Sequence, residues 1–426
     1  CYYSGIPEEE ATRRTIIRYN KRKNPMLVRE MIRNVYKECK GVPKSNCLTK
    51  EQRLSLQMDE FMNRRYEFRY NTQIGEVEYR ERFSFRFYFH PIDKRVQNSI
   101  MLDAQSEGIG VWDRDIDRYL HSNRVPIYNP LEEFLFHLPH WDGKDRIHAL
   151  ANRVPCNNPH WELLFHRWFL NMVSHWRGVN KMYANSTSPI LVGAQGTHKS
   201  TFCREMIPPA LRAYYTDSID FSQKRDAELY LNRFALINID EFDQITLTQQ
   251  GFLKHILQKP VVNLRKPHGR SVLELQRYAS FIGTSNQKDL LTDPSGSRRF
   301  ICIEVTGNID TTQPIDYEQL YAQAMHEISH GERYWFNSED EQIMTENNRE
   351  FEQTPAMLQL FYQYFRAPQA EEEGEFFTPV EILNYLKKKS GISLSDNKVY
   401  HFGRMLQKCG ITSKHTYKGT VYQVVK

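Results

Sequence analysis

No apolar run in the chain approaches the roughly 18 residues that a membrane-crossing helix needs, and no signal-peptide pattern opens it. Cysteine is scarce and scattered. The seven (Cys1, Cys39, Cys47, Cys156, Cys203, Cys302 and Cys409) are odd in number and form no C-x-x-C. That argues against a disulfide framework or a zinc ribbon and fits the reducing cytoplasm. Strong net charge is also missing. At +5 the chain is mildly basic, a balance that permits nucleic-acid binding without demanding it. Methionine is absent from the first position, which is Cys1. The expectation is that something upstream is missing.

What is present is an ordinary globular composition over 426 residues, 40% hydrophobic and 13% aromatic. That suggests two to four domains. Residues 1–60 read as a charged helical segment carrying the basic run "RYNKRKNP". From Arg65 to His90, polar and apolar residues alternate on either side of Asn71–Gly75, a hairpin signal. Residues 61–187 are expected to form an α+β region. Asp113 and Asp115 in "VWDRDID" read as an exposed helix start ahead of a paired-carboxylate metal site. From Ser188 the texture changes to short apolar strands between helical stretches, the mark of a mostly parallel α/β sheet. "PILV", "FALINI", "ASFIGT" and "RFICIEV" are the strand candidates. The α/β core with its trailing helices is expected over residues 188–366, and "APQAEEEGE" reads as an acidic linker over 367–375. In the tail, 376–426, Thr378, Pro379 and Glu381 form a capping box. A helix over Asp396–Cys409 and two strands around Lys418 and Gly419 follow, the outline of a small winged helix.

"GAQGTHKST" (Gly193–Thr201) is one residue away from the phosphate-binding pattern G-x-x-x-x-G-K-[ST]. His198 stands where glycine is usual. A strand leads in and a helix leads out, the context in which backbone N–H groups and a helix N-terminus cradle phosphate. Gly193, Gln195, Gly196, Thr197, His198 and Thr201 would line the cradle. Lys199 would reach the β- and γ-phosphates of ATP, and Ser200 would ligate Mg²⁺. Histidine keeps its backbone N–H and is among the side chains less penalised at positive φ. The loop therefore reads as altered but working. "FALINIDEFD" ends an apolar strand in acids. Asp240 would hold Mg²⁺ and Glu241 would orient and deprotonate the attacking water. "FIGTSN" ends another strand in Asn286, a sensor of the γ-phosphate. "DPSGSRRF" then places Arg298 and Arg299 on a loop, suited to a finger inserted into a neighbouring subunit's site.

Between Asp240 and Asn286, "VVNLRKPHGRSVLEL" reads strand, turn, strand. Arg265, Lys266, His268 and Arg270 lie at its turn. In a ring such hairpins would grip DNA phosphates without reading sequence. On the tail, Lys398 and Arg404 on the second helix and Lys418 in the wing would suit duplex DNA. A protein-docking winged helix is the competing reading.

This order of elements resembles the superfamily 3 helicase branch of AAA+ P-loop ATPases, and within it the virulence-associated protein E (VapE) family. "GAQGTHKSTF", "NIDEFD", "PHGR", "GTSN" and "SGSRRF" are similar to that family's pattern, as is "YNPLEEFLFHLPHWDGKDR" upstream. The likeness covers roughly residues 60–340. It implies an AAA+ core, a ring-forming homo-oligomer (a hexamer is one such ring), an upstream primase domain or partner, and a bacterial or phage-encoded replication ATPase of a mobile element. The departure at His198 puts turnover rate in question more than binding. A second reading, from a different class, is a nucleotide-dependent DNA-binding switch that does not unwind. "HEISH" (His326–His330) matches the zinc-peptidase pattern H-E-x-x-H, with Glu346 or Glu350 as third-ligand candidates. It falls where the ATPase needs a packing helix, with Leu320, Ala324 and Ile328 as the apolar stripe.

Overall fold

A computed structural model describes residues 6–18, 25–39, 49–178, 182–264, 273–291, 294–353, 356–369, 372–391, 399–417 and 419–426. They fall into two units, 1–130 and 131–426.

The first unit opens with helices α1 (Glu8–Arg18), α2 (Pro25–Cys39) and α3 (Lys50–Arg65). Thr49 starts α3 through a reciprocal cap, its side chain accepting from the Gln52 N–H and its own N–H donating to the Gln52 side chain. The hairpin follows as β1 (Tyr66–Asn71) and β2 (Glu76–Glu81), paired antiparallel. The second strand is shorter than the alternating sequence predicts. It stops at Glu81, and only β3 (His90–Pro91) rejoins the sheet. After α4 (Lys94–Ser106) and α5 (Asp113–Leu120), β4 (Ile127–Tyr128) runs parallel to β1, giving the order β3-β2-β1-β4. Phe61, Tyr66, Phe68, Ile100, Ile116 and Tyr119 are among the side chains that form the core of this unit. At the start of α5, Asp115 accepts the Trp112 N–H at 3.0 Å and so serves as a cap.

The second unit begins with α6 (Pro130–Phe136), α7 (Ile147–Ala151) and the long α8 (Trp161–Trp176), whose Trp168 and Trp176 are fully buried. The central sheet takes β5 (Ser188–Val192), then, after α9 (Lys199–Glu205), β6 (Tyr215–Thr216) and, after α10 (Lys224–Arg233), β7 (Leu236–Ile239). Past α11 (Leu247–Leu257) come β8 (Val261–Leu264) and β9 (Leu273–Gln276), a separate antiparallel pair. β10 (Ser280–Ser285) and β11 (Phe300–Glu304) complete the sheet. Its order is β11-β5-β10-β7-β6, and every pairing is parallel. A parallel sheet covered on both faces needs near-continuous apolar strands. The four predicted runs supply them, and Ile190, Val192, Ile237, Ile239, Phe281 and Phe300 are buried. The fold is thus mixed α/β around a parallel sheet. Among the described residues no helix is long and apolar enough to cross a membrane.

After α12 (Tyr317–Ser329), α13 (Ser338–Asn347) and α14 (Ala356–Tyr364), the chain forms β12 (Glu375–Phe377), α15 (Pro379–Ser390), α16 (Val399–Lys408), β13 (Ser413–Thr416) and β14 (Gly419–Val424). The Thr378–Glu381 box caps α15 with Pro379 in its first turn. The sheet has three antiparallel strands in the order β12-β14-β13, one more than the sequence suggested. Phe361, Ile382, Leu386, Phe402, Leu406 and Val424 pack among its core.

Candidate functional site

The order of the central sheet decides what meets at its carboxyl edge. β10 lies between β5 and β7, so the residue that ends β10 falls between the loop after β5 and the acids after β7.

The loop leaves β5 at Gly193, whose N–H donates to Ser285 O at 3.1 Å. A Cβ there would come within 2.9 Å of the Val305 carbonyl oxygen, so only glycine fits. Thr197 ties the loop down, its hydroxyl donating to Ala194 O at 2.9 Å and its carbonyl accepting from Ile309 N at 3.1 Å. His198 caps α9 with φ 66°, in the left-handed region, and its residue is exposed. Histidine tolerates that conformation better than most side chains, at a cost of about 1 kcal/mol.

Lys199 is buried, and its ammonium donates to Gly193 O at 2.8 Å, Ala194 O at 2.7 Å, Thr197 Oγ1 at 3.4 Å and Asn286 Oδ1 at 3.2 Å. Burial pushes its pKa down, opposed by the negative charge of Asp240. Ser200 Oγ donates to Asp240 Oδ1 at 2.9 Å. The same carboxylate oxygen accepts the Thr284 hydroxyl. A hydroxyl and a carboxylate converging in this way form the hard oxygen donor set that Mg²⁺ takes. Glu241 is exposed at φ 52°, and its carboxylate takes no hydrogen bond among the described residues. Loop lysine, acid pair and strand-end amide therefore share one edge of the sheet.

Three participants were not singled out in the sequence. Asp243 accepts from Ser285 Oγ at 2.9 Å and from the Asn286 N–H at 3.4 Å, so it fixes the end of β10. Thr284 holds Asp240. All three stood inside the quoted motifs "NIDEFD" and "GTSN", but spacing alone does not say which polar residue at a strand end faces which.

Arg298 and Arg299 end the turn that leads into β11. Arg298 donates to Glu341 of α13 at 3.0 Å, half-exposed, and Arg299 is half-buried on the same turn. β8 and β9 frame the expected basic hairpin, but Arg265, Lys266, His268 and Arg270 lie outside the described residues, as do Lys398 and Lys418. Arg404 is exposed on α16.

The HEISH segment sits on α12 and is engaged in packing. Glu327 takes the His166 ring nitrogen at 2.7 Å and the Gln323 amide at 2.8 Å. His326 lies tilted against Trp141 (4.9 Å) and stacks on His330 (3.9 Å). Among the described residues no three His, Cys, Asp or Glu side chains group to hold a metal. The same helix clamps the "WDGKDR" turn. Gln319 accepts the Asp142 N–H at 2.9 Å, Gln323 accepts the Arg146 N–H at 2.6 Å, and Arg146 closes a two-pronged ion pair on Asp142.

Beneath the sheet, Arg277 is fully buried and donates to the carbonyls of Ile256, Leu257, Lys259, Ala279 and Asn185 at 2.8–3.2 Å. Burial lowers its pKa to about 9. A cation at the carboxyl end of α11 satisfies the helix's open carbonyls and its dipole together.

Residues 135–353 match the virulence-associated protein E-like domain family. Residues 354–424 match a domain family of unknown function, DUF3874. No curated protein matches the chain. Among solved structures, the chain is similar to two apo structures of the NrS-1 C-terminal region (305–718). One aligns at 11% identity and TM-score 0.46 over 88% of this chain and 100% of that one. The other aligns at 11% identity and TM-score 0.44 over 88% and 99%.

Proposed function

This chain belongs to the virulence-associated protein E-like domain family, and from that premise we propose that it is an ATP-driven, DNA-binding motor of the superfamily 3 helicase-like AAA+ type, serving replication of a mobile element in the bacterial cytoplasm. The observation that carries this is the meeting of Lys199, Asn286, Ser200 and Asp240 at one sheet edge. The sheet order, with the amide strand between the lysine strand and the acid strand, supports a P-loop AAA+ core.

ATP would lie over the loop 193–198. Lys199 would leave the Gly193 and Ala194 carbonyls for the β- and γ-phosphates. Ser200 and Asp240 would hold Mg²⁺, which when bound neutralises charge on the phosphates. Glu241, exposed and uncommitted, would take the proton of the attacking water. Asn286, once Lys199 has moved, would turn its amide to the γ-phosphate. Arg298 or Arg299 would act in trans across a ring of subunits, either with or without a primase partner. The basic hairpin at 265–270 would hold DNA backbone, and the tail would act as a winged helix on duplex DNA through Arg404 and its neighbours.

The test is DNA-stimulated ATP hydrolysis. Lys199→Ala should lose nucleotide binding. Glu241→Gln should bind ATP yet turn over roughly a hundredfold more slowly or worse, the usual loss for a general base. A wild-type protein that neither binds nor hydrolyses ATP would overturn the reading. Hydrolysis without strand separation would instead favour a nucleotide-dependent switch.

A further inference from the structure

Residues 82–91 read "RFSFRFYFHP". On a strand, alternation would put Phe83, Phe85, Phe87 and Phe89 together on one face, where a core could cover them. Here β2 has ended at Glu81, and the rings stand out in solvent: Phe83 is 86% exposed, Phe85 95%, Phe87 72% and Tyr88 79%. Burying a phenylalanine is worth roughly 2–3 kcal/mol, so four rings left in water within six residues need a reason.

The base of the segment shows what its side chains already bind. Phe89 lies under the guanidinium of Arg69 at 4.0 Å and that of Arg80 at 4.9 Å, and Arg69 also covers Tyr128 at 3.7 Å. These are cation–π contacts. Further out, Arg82 spends its Nε–H on two backbone carbonyls, Asn63 O and Tyr66 O, and forms no ion pair among the described residues. Arg86 has no ion pair among the described residues. Residues 82–92 contain no acid and, before Pro91, no aliphatic side chain.

We propose that the exposed Phe83–Tyr88 segment, with Arg82 and Arg86, is a stacking platform for single-stranded nucleic acid. Bases stack on aromatic faces whatever their identity, and guanidinium groups take the phosphates between them. A second protein surface fits less well. Such an interface needs about 800 Å² per partner from some 20–30 residues, and six residues without an aliphatic do not supply it. The platform needs no nucleotide, so it stands or falls independently of the ATPase reading.

The full chain is titrated into fluorescein-labelled oligo-dT and oligo-U of about 30 nucleotides, and into a duplex of equal length, in EDTA without ATP. Binding of either single strand, weakened at least roughly fivefold per ring in Phe85→Ala and Phe87→Ala and weakened again in Arg86→Glu, is the expected result. The duplex should be affected far less. Wild-type protein photocrosslinked to 5-iodouracil oligonucleotides should carry the adduct within residues 83–88. Unchanged single-strand affinity in the double variant, or adducts only elsewhere, overturns the proposal. So does a shift of the double variant to a smaller assembly in sedimentation with affinity intact, which would make the strip a contact between copies of this chain.

Discussion

The Asn286 carboxamide oxygen lies 3.2 Å from the Lys199 ammonium. Residues 87 positions apart meet because β10 is inserted between the strands that carry the lysine loop and the acids. The contact joins the amide to the cation through a neutral acceptor. Asn286→Asp converts it into an ion pair in a partly buried setting. The expected outcome is weaker ATP binding in Asn286→Asp than in Asn286→Ala, by about tenfold or more. Asn286→Ala should bind nucleotide nearly normally and lose roughly tenfold to a hundredfold in turnover. Fluorescent-nucleotide titration beside steady-state hydrolysis separates the two, and equal affinities would show that the amide does not hold the lysine.

At His198 the backbone sits at φ 66°. Glycine relieves the strain but has more freedom to lose on folding, so His198→Gly should change stability by less than about 1 kcal/mol. His198→Val places a β-branched side chain in the left-handed region and should cost about 2 kcal/mol or more. Urea denaturation of the two variants checks the ordering; a valine variant as stable as wild type would contradict the conformation.

Arg277 holds five carbonyls with no carboxylate in the set. Arg277→Leu keeps apolar volume but orphans those oxygens, three of them at the end of α11. The expected loss is about 3–5 kcal/mol. Arg277→Lys should recover only part, because an ammonium has three donors in a tighter geometry. Equilibrium unfolding measures both.

His175 is fully buried, and neither ring nitrogen has a hydrogen-bond partner among the described residues. Burial, with the positive charge of Arg277 adding to it, lowers its pKa to about 3 from the usual 6.5. Below pH 6.5 the unfolded chain takes up a proton that the folded chain refuses, so stability falls as pH falls from about 6.5 towards 3. The slope from this one group is up to about 1.4 kcal/mol per pH unit. His175→Phe removes it. Melting temperatures from pH 7 to pH 5 should fall more steeply in wild type than in the variant, and parallel curves would mean that His175 is protonated in the fold.

Local patterns set a good deal by themselves. The four apolar runs became four of the five strands of a parallel sheet because only continuous apolar segments survive burial on both faces. Capping at Thr378 was legible because it is a short-range requirement of one backbone turn, whereas the need for glycine at 193 comes from the Val305 carbonyl, which only the folded sheet brings against it. The order lysine loop, acids, amide and arginines was likewise written along the chain, and so was the family it resembles.

Tertiary structure decided whatever depends on partners distant in sequence. Strand order is not encoded by strand composition, so only the folded sheet puts Asn286 against Lys199, and Thr284 against Asp240. HEISH reads as a metal motif in one dimension. In three dimensions its glutamate is taken by His166, 161 residues away, and by Gln323. The alternating stretch after Glu81 has the right period for a strand, yet a strand needs a neighbour to bond to. Where the sheet offers none before His90, the rings turn to solvent instead of to a core. Arg277 gives no local signal at all, since its value lies in five carbonyls that only packing brings around it.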